Sequence, residues 1–471
     1  MEHSDKLVNI ARDLLLIGKP GLSRRVLEDC VQEAPTHLEA WLELANVLVQ
    51  LNDLHASLEA SRHAAVLAPH ATFIQYNVAQ IAHLLSHYEI ELPAREHLAQ
   101  REPDRAEHTF CLAEVLDRLG QFEQALSRYR LAVLREPDNA KFHIHLGYAL
   151  LRLGHWHEGW KEMGWYWSTA GLNNYSPWFL SSPRPKLHPG DPIQGKRILV
   201  TGWGGLGDLI MFTPLASHLI RRGAAQVSLH VANHVAFFST NRWGLPVVTG
   251  TAAHEFTPLV QTHDAWVPNA ALAAVLELEP HQVGIAGSYF RVEPIRQAKW
   301  RQRLLERGSR LRIGLAWSGN PGNLYEKNRS IPTHQLLPLI RGKPDVDWYV
   351  VQKNERNNEL AAHCLPQVCD CSASFDELEE TAALMAELDL IISVDSMPAH
   401  LSASLGRPTW LLLGASADWR WGLSDNRTPW YESIHIYRQV DRTSWKQLLD
   451  RVASDLTQFC ANHHSLNKTS I

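Results

Sequence analysis

The first 137 residues place apolar positions at helical spacing, and the arrangement repeats. Pro35, Pro69, Pro103 and Pro137 stand 34 residues apart. Between them apolar residues recur at three- and four-residue steps: Trp41, Leu44, Ala45, Leu48 and Ala64 before Pro69, then Leu112, Ala113, Leu116, Ala125, Tyr129 and Ala132 before Pro137. One apolar stripe per helix and one proline per period predict helix pairs stacked as an array, with small residues where two helices touch. Leu146, Gly147 and Gly154 open a fifth unit, and the third, around IQYNVAQIAHLLSHYEIELPAREHL, matches the period least well.

From residue 156 the pattern changes. Trp156, Trp160, Trp165, Trp167 and Trp178 crowd together, and the proline-rich NNYSPWFLSSPRPKLHPGDPIQGK that follows opposes helix. This stretch reads as a linker or docking segment whose tryptophans could stack a sugar but more often, in such clusters, pack one domain on another. Beyond it, short apolar runs alternate with helix-length spacers: RILVTGW (197–203), QVSLHVA (226–232) and DAWVPNA (264–270), a break at RQAKWRQRLLERGSRL, then RIGLAWSG (312–319), WYVVQK (348–353), DLIISVDS (389–396), TWLLLG (409–414) and IHIYRQ (434–439). Runs this apolar predict strands covered on both faces, hence parallel sheets with helices on either side. The fold class is an α-solenoid followed by two doubly wound α/β lobes. The expected boundaries are repeats over 1–168, linker 169–196, first lobe 197–310, second lobe 311–440, and a terminal helix and tail 441–471 packing back across the lobes.

The 34-residue unit, with its Leu-Gly or Leu-Ala pair, inner alanine and closing proline, resembles the tetratricopeptide repeat. Such a solenoid offers a concave groove to a peptide or partner protein. Charge excludes one class of partner: 45 Lys and Arg against 50 Asp and Glu leave −5, with no basic field for nucleic acid or an anionic membrane. MEHSDKLVNIARDLLLIGKP carries charges at Glu2, Asp5, Lys6, Arg12 and Asp13 and lacks the apolar core of a secretory signal. No apolar run approaches a membrane span, so a cytoplasmic location is expected. Six irregularly spaced cysteines fit reduced thiols, and Cys364, Cys369 and Cys371 beside His363 miss the paired spacing of a metal site.

Candidate chemistry concentrates in VTGWGGLGDLIMFTPLASHLI (200–220). Gly202, Gly204 and Gly207 formally satisfy a dinucleotide fingerprint after a strand and before a helix. Asp208 argues against a dinucleotide, because it puts a carboxylate where the pyrophosphate would sit. The second strand also ends in HVANH, without the acid that would hold a ribose. Gly204, Gly205 and Gly207 therefore read as close backbone approach, and Asp208 as a helix cap, a general base, or both.

Three segments, GGLGDLIMFTPLASHL, GLAWSGNP with NRSIP, and DLIISVDSMPAHLSASLGRPTWLLLG, resemble glycosyltransferases of the lipopolysaccharide heptosyltransferase type, over about residues 197–440. Joined to the repeats and the WHEGWKEMGWYW junction, the chain is similar to bacterial repeat-containing glycosyltransferases, some of which modify flagellin or other proteins. The resemblance implies a GT-B-like pair of lobes, a nucleotide-sugar donor on the second lobe, and a protein or glycan acceptor selected by the repeats. It implies Asp208 as the base, Arg329 near the donor phosphates where the family has a lysine, and Asp395, Ser396 and His400 around the diphosphate. Met397 and Pro398 depart from the family's glycine-containing turn there. Ser318 and Asn320 after one strand and Gln352 at the end of the next are further donor-side candidates, whereas Trp419, Arg420 and Trp421 of ADWRWG read as packing. The acid pair of DVD (345–347) reads as solvent-facing, so neither metal nor cofactor is expected. The alternative is a protein-binding scaffold whose transferase module is inactive.

Overall fold

The computed structural model describes all residues except 1, 169–183, 203, 232–233, 250–257, 259, 309, 321, 323–325, 424–425 and 469–471. The chain divides into two compact units, Met1–Ala149 and Leu150–Ile471.

The first unit is built from antiparallel helix pairs: α1 (Glu2–Leu16) with α2 (Pro20–Glu33), α3 (Leu38–Gln50) with α4 (Leu54–Leu67), α5 (Thr72–Leu85) with α6 (Tyr88–Arg101), α7 (Ala106–Arg118) with α8 (Phe122–Arg135), and then α9 (Ala140–Arg152). Pro35, Pro69, Pro103 and Pro137 each follow the C-cap of a second helix (Ala34, Ala68, Glu102, Glu136), where a residue without an N–H ends the helix. Ala11, Ala45, Ala79 and Ala113 are buried at matching positions of successive first helices, and small size lets the paired backbones approach. Ser23 and Ser57 donate to the carbonyls of Ala11 and Ala45, each at 2.7 Å, so one hydrogen bond recurs with the period.

The turn inside each pair obeys the same register. Gly18, Asn52, Ser86 and Gly120 all take a positive φ, between +58° and +76°, and Gly154, which follows α9, takes +85°. The next amide closes back on the carbonyl five residues earlier, as in Lys19 to Leu14, His87 to Ala82 and Gln121 to Leu116. Glycine adopts this left-handed conformation without strain and asparagine tolerates it, whereas serine does so at a cost. The third repeat, the weakest match in sequence, therefore departs from the pattern where the backbone is most demanding.

The second unit begins with α10 (Trp156–Met163). Although α10 was expected with the repeats, Trp156 packs 5.8 Å from the Trp430 ring and Trp160 5.5 Å from Trp419, inside this unit. Most of the expected linker lies outside the described residues, Trp178 included. Within its described end Leu187 donates to the Trp266 carbonyl at 2.8 Å and Trp266 to that of Pro185 at 3.2 Å, so the chain there runs beside the first sheet.

That first sheet has the order β3-β2-β1-β4, all parallel, from β1 (Arg197–Thr201), β2 (Gln226–His230), β3 (Val247–Val248) and β4 (Ala265–Pro268). The second, also parallel, has the order β10-β9-β8-β5-β6-β7, from β5 (Leu311–Ala316), β6 (Val346–Val350), β7 (Val368–Asp370), β8 (Leu390–Val394), β9 (Thr409–Leu413) and β10 (Ile434–Arg438). The two-residue β3 and three-residue β7 are too short to show an apolar run and went unread in the sequence. The presumed break is a helix, Pro294–Leu305, which belongs with the second lobe: Arg296 and Trp300 bond Glu380, and Arg301 bonds Glu387. The terminal helix Lys446–Lys468, expected to lie across the lobes, joins the second-lobe core through Leu448, Leu449, Val452 and Leu456. Asp347, expected to face solvent, is buried within β6, 3.8 Å from Arg310.

Since Ser86 holds a left-handed conformation that glycine takes freely, Ser86→Gly should stabilise the helical unit by about 1 kcal/mol. Chemical denaturation of the full chain measures this, and a loss of stability would contradict the strain assigned to Ser86.

Candidate functional site

A parallel sheet leaves its strand ends bare where consecutive connections leave for opposite faces. In the first lobe that point lies at the end of β1, between its neighbours β2 and β4. In the second it lies between β5 and β8. The turns after these three strands line a cavity of about 610 Å³ that includes Gly205, Gly207, Asp208, Ser318, Arg329, Asp395 and Arg420.

Two glycines of the turn after β1 face protein where a side chain would go. Gly204 has φ +88°, and a Cβ there would lie 2.5 Å from Asp208 Oδ2. A Cβ on Gly207 would lie 2.8 Å from the His400 ring, at the contact between the helices Leu206–Phe212 and Met397–Ser404. Gly207 thus serves the contact between the lobes, and Gly204 leaves room for the Asp208 carboxylate. Asp208 is not the N-cap that its place after the glycines suggested: Gly205 holds that position, and Asp208, three residues further on in the first turn, accepts the Gly205 amide at 3.1 Å on Oδ2. Its other oxygen, Oδ1, accepts Arg420 Nη2 at 2.7 Å from the opposite lobe.

On the second lobe the expected residues gather around the cavity but differ in what they leave available. Gln352 is buried; its Oε1 accepts the amides of Trp317 (2.8 Å) and Ser318 (3.0 Å), and its Nε2 donates to Ser318 Oγ at 3.0 Å. Ser318 Oγ also accepts Asn354 Nδ2 at 2.8 Å. This pair therefore braces the turn after β5. Asn320 takes the Gly322 amide at 3.0 Å, a turn-forming bond. The guanidinium of Arg329 lies so close over Gly319 that an added Cβ would come within 2.7 Å of it, and its buried Nε has no hydrogen-bond partner among the described residues.

Asp395 and Ser396 follow β8 directly. Burial, then the nearby Asp418 carboxylate, push the Asp395 carboxyl up to about 6, with Arg329 pulling the other way. Burial would lift Asp418 too, but Arg420, bonded to it at 2.8 Å, outweighs this and holds that carboxyl low. His400 is neutral: burial, then the charge of Arg420, push it down to about 3. Its Nδ1 is hydrogen-bonded to the Tyr431 hydroxyl at 2.9 Å and its ring stacks on Trp421, 5.3 Å between centroids. Both partners belong to its own lobe, while another edge of the ring meets Gly207 of the first lobe and lines the cavity.

ADWRWG requires a correction. Trp419 and Trp421 do pack, but Arg420 between them faces the cavity and reaches Asp208. The available signal was its place after a parallel strand, β9, beside an aspartate. Among the described residues no group of three metal-binding side chains gathers, and Cys369 and Cys371 lie 3.6 Å apart, sulfur to sulfur. No described helix is long and apolar enough to cross a membrane.

Residues 348–449 match glycosyltransferase family 9 (heptosyltransferase). The chain is 26% identical over 329 residues to protein FlbA of Caulobacter vibrioides, a match covering 65% of this chain and 53% of that one. It thus spans about half the length of that relative. Among solved structures, MamA from Desulfovibrio magneticus RS-1 (20% identity, 36% of this chain and 96% of that one, TM-score 0.31) and YrrB, a TPR protein with an unusual peptide-binding site (14%, 34% and 82%, TM-score 0.31), resemble part of the chain.

The His400 ring occupies the space of a Gly207 side chain, so Gly207→Ala should destabilise the second unit by about 1–2 kcal/mol. Gly164→Ala, with nothing within 4 Å of its added Cβ, serves as the control. Equal stability of the two variants in denaturant titrations would contradict the packing role.

Proposed function

We propose that this repeat-containing, heptosyltransferase-like glycosyltransferase moves a sugar from a nucleotide-sugar donor on its second lobe to an acceptor hydroxyl presented at its first. The observation that carries the reading is Asp208, a carboxylate after β1 that faces the same cavity as Arg329 and the start of the helix Met397–Ser404. Asp208 takes the proton of the acceptor hydroxyl as its oxygen bonds to the anomeric carbon. The bond from that carbon to the phosphate oxygen breaks, and the departing nucleotide keeps the electron pair. Arg329 and the amides at the helix start meet the charge that develops, without a metal. Pro398 removes one of those amides, which enlarges the share carried by the guanidinium. Ser318 and Gln352 act by shaping the turn, and His400 by holding the helix. The repeats select the acceptor, a protein or surface glycan, and the reaction takes place in the cytoplasm.

A thermal-shift panel of ADP-, UDP-, GDP-, CMP- and dTDP-linked sugars identifies the donor, because specific binding raises the melting temperature. With that donor, Asp208→Asn should keep the thermal shift yet lose turnover by roughly 10²–10⁴, since the asparagine side-chain oxygen can still accept the Gly205 amide but the group cannot take the proton. More than about a tenth of parental turnover would remove Asp208 from the chemistry. Arg329→Ala should weaken donor binding by about 1.5–3 kcal/mol, the range for a charge-assisted hydrogen bond. Unchanged affinity would take Arg329 out of the donor site.

A further inference from the structure

Arg420 belongs to the loop after β9, yet its Nη2 donates across the cavity to Asp208 Oδ1 at 2.7 Å. With Oδ2 on the Gly205 amide, both oxygens of that carboxylate are anchored, one from each lobe. The guanidinium is itself fixed. Its Nη1 donates to Asp418 at 2.8 Å, its carbon lies 4.6 Å from the Trp419 ring centroid, and the Arg420 carbonyl accepts Trp430 Nε1 at 2.9 Å. An aspartate in the first turn of a short helix would otherwise rotate about two torsions. A planar guanidinium held by Asp418 and against the Trp419 ring, on a backbone pinned by Trp430, removes that freedom before any substrate arrives.

We infer that Arg420 is a positioning residue for sugar transfer: it aims Asp208 at the acceptor hydroxyl and ties that carboxylate to the donor-side lobe. The base is then in place only when the two lobes are together. This role rests on the transferase reading above, and it acts through Asp208 rather than on the donor.

The test uses the full chain, the sugar nucleotide that raises its melting temperature, and water as acceptor, with nucleotide release as the measured rate. Arg420→Gln should lower the rate at saturating donor by about 10²-fold, the scale of a misplaced catalytic group, while leaving the nucleotide-induced thermal shift unchanged. Arg420→Lys, which keeps a charge, should recover about tenfold of that loss. The decisive comparison is the double variant, which should be no slower than Asp208→Asn alone because the two residues act as one unit. A double variant slower by the product of the single losses, or loss of the thermal shift in Arg420→Gln, would overturn the inference and assign Arg420 to the donor. If Arg420→Gln does not fold, Arg420→Lys in the parental and Asp208→Asn backgrounds provides the same comparison. A parental protein that neither binds nor turns over any sugar nucleotide fails differently: it overturns the transferase reading and this role with it.

Discussion

The cavity depends on one close contact between helices. Where Gly207 meets His400, the helix Leu206–Phe212 of the first lobe approaches the helix Met397–Ser404 of the second to within a side chain's thickness. The imidazole fits because Gly207 has no Cβ, because its Nδ1 and the Tyr431 hydroxyl share a hydrogen bond, and because burial keeps it uncharged. This approach sets Asp208 opposite Arg420. A carboxylate and a guanidinium 2.7 Å apart across the lobes then fix one wall of the cavity, and Asp418 is bonded to the other side of the Arg420 guanidinium.

Electrostatics inside the cavity follow from the same closeness. Three carboxylates, Asp208, Asp395 and Asp418, share the space with Arg329 and Arg420. Asp418 stays low because a guanidinium is bonded to it, whereas Asp395, buried beside Asp418, rises to about 6. Opposite shifts in neighbouring acids mark a site in which environment, more than residue type, sets the charge.

Much of this organisation was legible in the sequence, for physical reasons. A 34-residue period is visible because every repeat must bury the same stripe, end its second helix at a proline and turn through one left-handed residue. Parallel strands buried on both faces write themselves as apolar runs, and the ends of β1, β5 and β8 located the candidate residues. What stayed hidden depends on three-dimensional approach. Gln352 and His400 looked available for a ligand, but the braced turn and the lobe contact that occupy them join residues far apart in the chain. Arg420 looked like packing because its tryptophan neighbours are packing, and its partner lies 212 residues away. The terminal helix Lys446–Lys468 and the helix Pro294–Leu305 could be anticipated as elements or spacers, but not assigned to the second lobe, since an apolar stripe does not say which core it covers.

The central claim of the proposed function is that phosphate is held on the second lobe while Asp208 serves the acceptor. A crystal structure with the nucleotide diphosphate of the matching donor tests this directly. The account predicts phosphate oxygens against Arg329 and the start of the helix Met397–Ser404, with Asp208 still bonded to Arg420 and facing open space for a hydroxyl. Phosphates seated on the Gly202–Gly207 turn, with His400 displaced, would contradict it.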